Sequence, residues 1–282
     1  MLYNIFMKIG IVGWGYVGAT TGLGLRKSHK ILVFDPYKDV ENFSIDYIGE
    51  IPTKKLTENI EHLEHLGKLA DADIIFVCLP TPTVDGKTDM KIINNFFASA
   101  SKILKKGKFV IRSTIPPGTT KKLQKEYPQF KFAHNPEFFR ERTPLHDFLY
   151  PDRIVIGSEN KEITDILLDI YNSFECPKII TNPTTSEIIK YASNCFLATK
   201  ISYFNEIHRI CEKLGSDSKI VSEAVSMDER IGRYGIYGGR PFGGACLPKD
   251  LAAFISHSEE EIGHEPVLLK SVKKVNEEMN GK

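Results

Sequence analysis

The sequence has no CxxC pair, and its five cysteines (Cys78, Cys176, Cys195, Cys211 and Cys246) are odd in number. Both absences argue against a disulfide framework or a zinc site and point to a reduced, intracellular protein. It has no surplus of charge either. A net charge of +1 gives no electrostatic reason to expect nucleic acid or an acidic membrane as partner. No segment is long and apolar enough to span a bilayer. The opening Met1 to Met7 is apolar, but too short for a signal h-region, and lacks a cleavage site. A soluble, cytoplasmic protein is expected. What is present is enough material for a large core: 282 residues, 41% of them hydrophobic, suggest about two domains.

Lys8 to Val12 (KIGIV) reads as a buried strand running directly into Gly13-Trp14-Gly15-Tyr16-Val17-Gly18, a GxGxxG stretch. In that pattern Gly13 makes the tight turn, Gly15 admits a pyrophosphate to the backbone, and Gly18 lets the next helix pack on the strand. Amides at the helix start, from Tyr16 and Val17 onward, then face the phosphates. The context supports dinucleotide binding, because a helix-like segment follows and a second strand, Ile31 to Phe34, ends in Asp35. Asp35 can accept hydrogen bonds from both adenosine ribose hydroxyls but would repel a 2′-phosphate, so NAD is expected over NADP.

The charged stretch Pro36 to Leu69 is weakly periodic and suggests a short helix or two. Further strands are expected at Asp73 to Leu79, Phe109 to Ser113, Phe130 to His134, Arg153 to Gly157 and Lys178 to Ile180, with helices at Met90 to Leu104 and Lys161 to Asn172. Such alternation predicts an α/β fold, a Rossmann-type doubly wound parallel sheet whose ligands sit beyond the strands' carboxyl ends. Thr81 and Thr114 lie at such ends, where a hydroxyl serves equally as a turn cap or a ligand. The loop Asn135 to Arg142 crowds four charges after a strand, either as a solvated turn or as a substrate loop. Asn182-Pro183 breaks the pattern and marks the boundary between an NAD-binding domain, 1–182, and a helical domain, 183–282.

The second domain opens with a long central helix, Thr184 to Leu214, capped by Thr184 or Thr185 and stopped by Gly215. Its apolar positions cover more than one face, as in a domain spine or the seam of a homodimer. Lys190 and Asn194 lie four residues apart, so they project from one face. They are either a solvated lysine beside a capping asparagine or a donor pair for developing oxygen charge. Late in the chain comes Phe242-Gly243-Gly244-Ala245-Cys246-Leu247-Pro248-Lys249-Asp250. A cysteine flanked by glycines, with a cation and a carboxylate just after it, suits covalent chemistry on a carbonyl. The plainer alternative is a buried cysteine in a Gly-Pro turn stiffened by Pro248.

Seven ordered motifs resemble the UDP-glucose/GDP-mannose dehydrogenase family: GIVGWGYVG, LPTPT, STIPPGTT, NPEFFRE, EIIKYASN, MDERIG and FGGACLPKD. The KYASN and CLPKD wording is most similar to the UDP-glucose 6-dehydrogenases, with GDP-mannose dehydrogenases next. The resemblance implies two successive NAD-dependent oxidations of a nucleotide-sugar primary alcohol to the carboxylate. It implies Cys246 as the nucleophile that captures the aldehyde, with Lys190 and Asn194 stabilising oxygen charge. Asp250, or a water held by Thr114, takes the proton, and Glu137 activates the hydrolytic water. It also implies that Phe138, Phe139, Arg140 and Gly243 line the sugar nucleotide, while Thr81, Thr114, Glu141 and Lys249 approach NAD. Arg230 matches an arginine that reaches the neighbouring subunit's substrate, and Lys38 is the candidate adenine-side contact after Asp35.

Members of the family continue past the helix read at Pro266 to Asn280 into a second α/β domain that holds much of the nucleotide. The 282 residues here do not extend to it. Two other readings stand beside the first. A two-electron hydroxyacid dehydrogenase also pairs a Rossmann domain with a long helix bearing a lysine and an asparagine, but has no use for Cys246. A shortened NAD-binding dimerisation module would have no turnover at all.

Overall fold

The computed structural model describes residues 6–38 and 58–280. Two compact units make up the chain: residues 1–81 with 90–190, and residues 82–89 with 191–282. The first unit contains β1 (Lys8–Val12), α1 (Tyr16–Leu25), β2 (Lys30–Phe34), β3 (Ile60–His62) and β4 (Ile74–Val77). The hairpin β5 (Thr83–Val84) and β6 (Lys87–Thr88) belongs to the second unit. The first unit resumes with α2 (Lys91–Ile103), β7 (Gly107–Ile111), α3 (Thr119–Glu126), β8 (Phe130–His134), α4 (Pro144–Leu149), β9 (Ile154–Gly157), α5 (Lys161–Ile170) and β10 (Lys178–Thr181). Then come α6 (Pro183–Leu214), α7 (Ser218–Ser226), α8 (Leu247–Glu260) and α9 (Val267–Asn280).

The strands form one sheet in the order β10-β9-β8-β7-β4-β1-β2-β3. From β3 to β8 every pairing is parallel. Counted along the chain, that part has the doubly wound order of a dinucleotide-binding fold. The inner strands β1, β2 and β4 (KIGIV, KILVF and IIFV) are almost wholly apolar because both faces are covered. Ile74 and Phe76 enter one core cluster with Leu23, Phe148 and Leu167, whereas Ile75 and Val77 enter the other with Phe97, Phe109 and Leu123. This is the two-residue alternation of a pleated strand. Phe97 and Phe109 meet edge to face, 5.1 Å between centroids, a geometry worth about 0.5–1.5 kcal/mol beyond burial.

The sheet departs from the all-parallel expectation at one place. β8 and β9 meet antiparallel through His134 and Gly157. A parallel return needs a crossover passing over the sheet. Here the connection is held on α1 instead, with the Phe148 ring in the space a side chain at Gly24 would occupy. The chain therefore re-enters the sheet from the end at which β8 leaves it. Most of the expected helix between Pro36 and Leu69, residues 39–57, lies outside the described residues. What is described there is β3 and a 3-10 turn, Leu66–Asp71.

The long helix begins one residue before the expected start. Asn182, not a threonine, caps it: its Oδ1 accepts from the Thr185 amide at 3.0 Å, and Pro183 occupies the first turn, where a missing amide hydrogen costs nothing. Gly215 stops it, at φ 66°, the left-handed conformation that helix ends favour. The core of the second unit gathers Cys195, Ala198, Phe242, Leu251, Ile255 and Val272. Pro248 was expected in a turn but stands in the first turn of α8. The ring's fixed φ starts a helix as readily as it stiffens a loop. Among the described residues no helix is long and apolar enough to cross a membrane.

Candidate active site

The GxGxxG loop has the form a dinucleotide needs. Gly13 sits at φ 89°, and a Cβ there would lie 2.8 Å from the Cys78 carbonyl oxygen. A Cβ at Gly18 would lie 1.9 Å from the Gly13 carbonyl oxygen, so α1 can approach β1 only with glycine at that position. At Gly15 a Cβ would meet the Lys38 ammonium at 3.9 Å, an ordinary contact distance. A cation beside a glycine at a helix start suits a pyrophosphate. Asp35 is held by the Trp14 amide at 2.7 Å and the Tyr37 amide at 2.9 Å. Each carboxylate oxygen keeps acceptor capacity for a ribose hydroxyl. Val17 packs against the core beside the sheet, and the Tyr16 hydroxyl donates to the Arg140 carbonyl at 2.7 Å. The residues present fit NAD.

Within the first unit Lys190 and Glu137 form a buried pair. Lys190 Nζ donates to Glu137 Oε1 at 2.9 Å and to the Glu137 carbonyl at 2.8 Å. The second carboxylate oxygen accepts from the Phe139 amide at 2.7 Å. Burial by itself would push the Glu137 carboxyl up, but Lys190 and the amide outweigh it and hold the group below the ordinary carboxylate value. Two cations lie over the Phe138 ring, Arg153 at 3.9 Å and Lys190 at 5.6 Å from its centroid. Phe139 packs into the core next to Phe148. Arg140 is bound through its backbone amide and guanidinium to Asp147, while Glu141 is exposed. Thr81 donates to the Thr114 carbonyl at 2.8 Å, tying the ends of β4 and β7 together.

The second unit holds the cysteine group. Of the five cysteines, all described, Cys246 is the exposed one. Burial pushes the thiols of Cys78 and Cys195 up to about 12, which leaves them inert near neutrality. Cys246 stands at the N-cap of α8, the helix end where unpaired amides favour negative charge. Gly243 just before it has nothing within 4 Å of a potential Cβ. One turn into α8, Asp250 is buried and accepts from Asn194 Nδ2 and from Lys249 Nζ, each at 2.6 Å. Arg230 is well exposed and paired with Asp228.

Several residues here escaped the sequence reading. Glu187 accepts from the amides of Gly118 and Thr120 and from the Thr120 hydroxyl, so it caps α3 and fixes the turn after Thr114. Asp147 holds Arg140, and Arg112 is buried beside Asn135 and Tyr171. Only Arg112 left a signal, as a charge closing the apolar run Phe109-Val110-Ile111.

Residues 7–175 match the NAD binding domain of the UDP-glucose/GDP-mannose dehydrogenase family, and residues 184–278 match its central domain. UDP-glucose 6-dehydrogenase of Rickettsia prowazekii is 37% identical over 291 residues, 96% of this chain and 67% of that protein. A solved UDP-glucose dehydrogenase from the archaeon Pyrobaculum islandicum superposes with a TM-score of 0.90 at 32% identity, covering 99% of this chain and 69% of the other. A GDP-mannose dehydrogenase from Pseudomonas aeruginosa superposes with a TM-score of 0.71 at 28% identity, covering 97% and 69%. The strand order, the glycine loop and both family matches agree: the chain belongs to the UDP-glucose/GDP-mannose dehydrogenase family, the NAD-dependent nucleotide-sugar dehydrogenases.

Proposed function

We propose that the chain carries out the four-electron oxidation of UDP-glucose to UDP-glucuronate with Cys246 as covalent nucleophile. The observation that carries this reading is the exposure of Cys246 at the start of α8, while Cys78 and Cys195 are buried. The glycine loop and Asp35 would hold NAD, joined by Lys38, Thr81, Thr114, Glu141 and Lys249. NAD, when bound, takes up the hydride released in each oxidation.

In the first oxidation the alcohol proton passes to Asp250 or to a water held by Thr114, while Lys190 and Asn194 donate to the oxygen that becomes a carbonyl. Lys190 has three donors, and two are committed to Glu137, which leaves the third to meet that charge. Asn194 is aimed by its bond to Asp250. Cys246 Sγ then adds to the aldehyde carbon, and the carbonyl oxygen gains a proton to give a thiohemiacetal. Loss of hydride and of the hydroxyl proton leaves a thioester. Water activated by Glu137 adds to it, the carbon–sulfur bond breaks, and the thiol and a carboxylate remain. Held ionised by Lys190, Glu137 is in the form a general base requires. Phe138, Phe139, Arg140 and Gly243 line the sugar nucleotide in this reading. Arg230 serves the partner subunit's site in a homodimer built on α6. Phe196, Tyr203 and Ile210 support that assembly: each is exposed, and they recur every seven residues, as in a helix seam.

Titration of UDP-glucose against NADH release tests the function. Two NADH per sugar consumed is expected. One NADH would indicate a two-electron hydroxyacid-type enzyme, none a binding module, and a preference for GDP-mannose would reassign the substrate.

A further inference from the structure

Among the described residues Arg112 is the most deeply buried arginine or lysine that the reaction as described does not use. It directly follows β7 and is 4% exposed. No carboxylate bonds it among the described residues. Its Nη1 donates to Asn135 Oδ1 at 2.5 Å and to the Tyr171 hydroxyl at 3.0 Å, and its guanidinium lies over the rings of Phe76, Phe139 and Phe148 at 5.6–5.9 Å. Its Nε has no hydrogen-bond partner among the described residues. Burying a charge with neutral partners is costly, so this position asks for a reason.

The partners supply one. Asn135 lies two residues before Glu137 and Phe139 two residues after it. Asn135 is anchored further by donating to the Val155 carbonyl at 2.7 Å, and the Phe139 amide itself donates to Glu137. We propose that Arg112 is a positioning residue of the reaction: its guanidinium grips the residues on both sides of Glu137 and so fixes the carboxylate that activates the hydrolytic water. This rests on the reading of Glu137 given above. A lysine could keep the charge but not contact Asn135 and the Phe139 ring at once, because it lacks the planar fork.

Charge adds a second effect. Among the described residues the titratable groups coupled to Glu137 or to its cations are Lys190 from α6, Arg112 after β7, His134 from β8, Cys78 after β4 and Tyr171 after α5. Burial pushes Cys78 and Tyr171 up and His134 down, so these three are neutral at neutral pH. Lys190 and Arg112 are the cations that keep Glu137 ionised.

The test compares Arg112→Lys and Arg112→Met in the full chain. Three measurements apply: NAD binding by calorimetry, NADH release from UDP-glucose, and intact mass after brief turnover. Arg112→Lys is expected to bind NAD as the wild type does. Acid formation should slow about 10-fold or more, with substrate-derived mass accumulating on Cys246. Arg112→Met should do the same, and the acid limb of its kcat profile should move to higher pH. A folded Arg112→Lys with wild-type rate and no accumulated adduct would overturn the proposal. So would failure of both variants to fold, which would make Arg112 a stability residue alone. Absence of NADH release by the wild type would defeat the functional reading itself and this inference with it.

Discussion

Asn194 Nδ2 lies 2.6 Å from Asp250 Oδ2, joining α6 to α8 across 56 residues of sequence. The Lys249 ammonium holds the other carboxylate oxygen at 2.6 Å. Asp250 is thus more than a possible base, because it orients the amide proposed to meet oxygen charge. Replacing it with asparagine removes the anion that both donors need. Asp250→Asn should lower kcat about 10- to 100-fold and stability by about 1–3 kcal/mol. Steady-state kinetics and denaturant melts check this, and an unaltered kcat would count against the orienting role.

Cys246→Ser should stop formation of the uronic acid. A serine hydroxyl is a far weaker nucleophile at neutral pH, so the covalent route closes while a first hydride release can persist. Chromatography of products, with NADH counted in parallel, separates the two half-reactions. Near-normal uronate from Cys246→Ser would remove the covalent mechanism.

His134 predicts an acid instability that does not involve catalysis. Buried at the end of β8 and bonded to the Ser186 hydroxyl at 2.8 Å, it is pushed by burial down to about 3. An unfolded histidine takes a proton near pH 6.5, whereas the folded one does not until about pH 3. The unfolded state therefore binds more protons between those values, and stability falls as pH drops through that window. Between pH 7 and pH 5 this residue alone should remove about 2 kcal/mol. Glu137 is held below the ordinary carboxylate value, so it keeps its charge there, and its own contribution is lost only at lower pH. Urea unfolding of wild type and His134→Gln at pH 7 and pH 5 measures the slope. Equal slopes would show that His134 is not the responsible group.

The α6 seam predicts a homodimer at micromolar concentration by light scattering. Phe196 and Tyr203 are 67% and 55% exposed, and a charge at either should break an apolar contact between copies. Phe196→Glu or Tyr203→Glu should yield monomers with unchanged NAD affinity. If the site is shared, mixing Arg230→Ala with Cys246→Ala chains should restore part of the activity. A monomeric wild type would exclude the seam.

Local regularities were legible in the sequence because they depend on near neighbours. KIGIV became β1 with the expected bounds, and Gly215 ended the long helix, since a left-handed stop and a doubly covered strand are written in composition. The glycine loop was readable for the same reason: its turn, open backbone and close helix packing each need a missing side chain at a fixed spacing. Other features required the chain to meet itself far along the sequence. Nothing near Asn194 names Asp250 as its partner, and nothing near Glu187 says that it caps α3. The antiparallel return at β9 followed from where Phe148 could be buried, not from the pattern of β9 itself. The burial of Arg112 showed faintly in sequence, but what it holds did not. Periodicity and turn chemistry reveal elements, whereas pairing of polar groups in a core is decided by which elements are packed together, and only the tertiary structure contains that information.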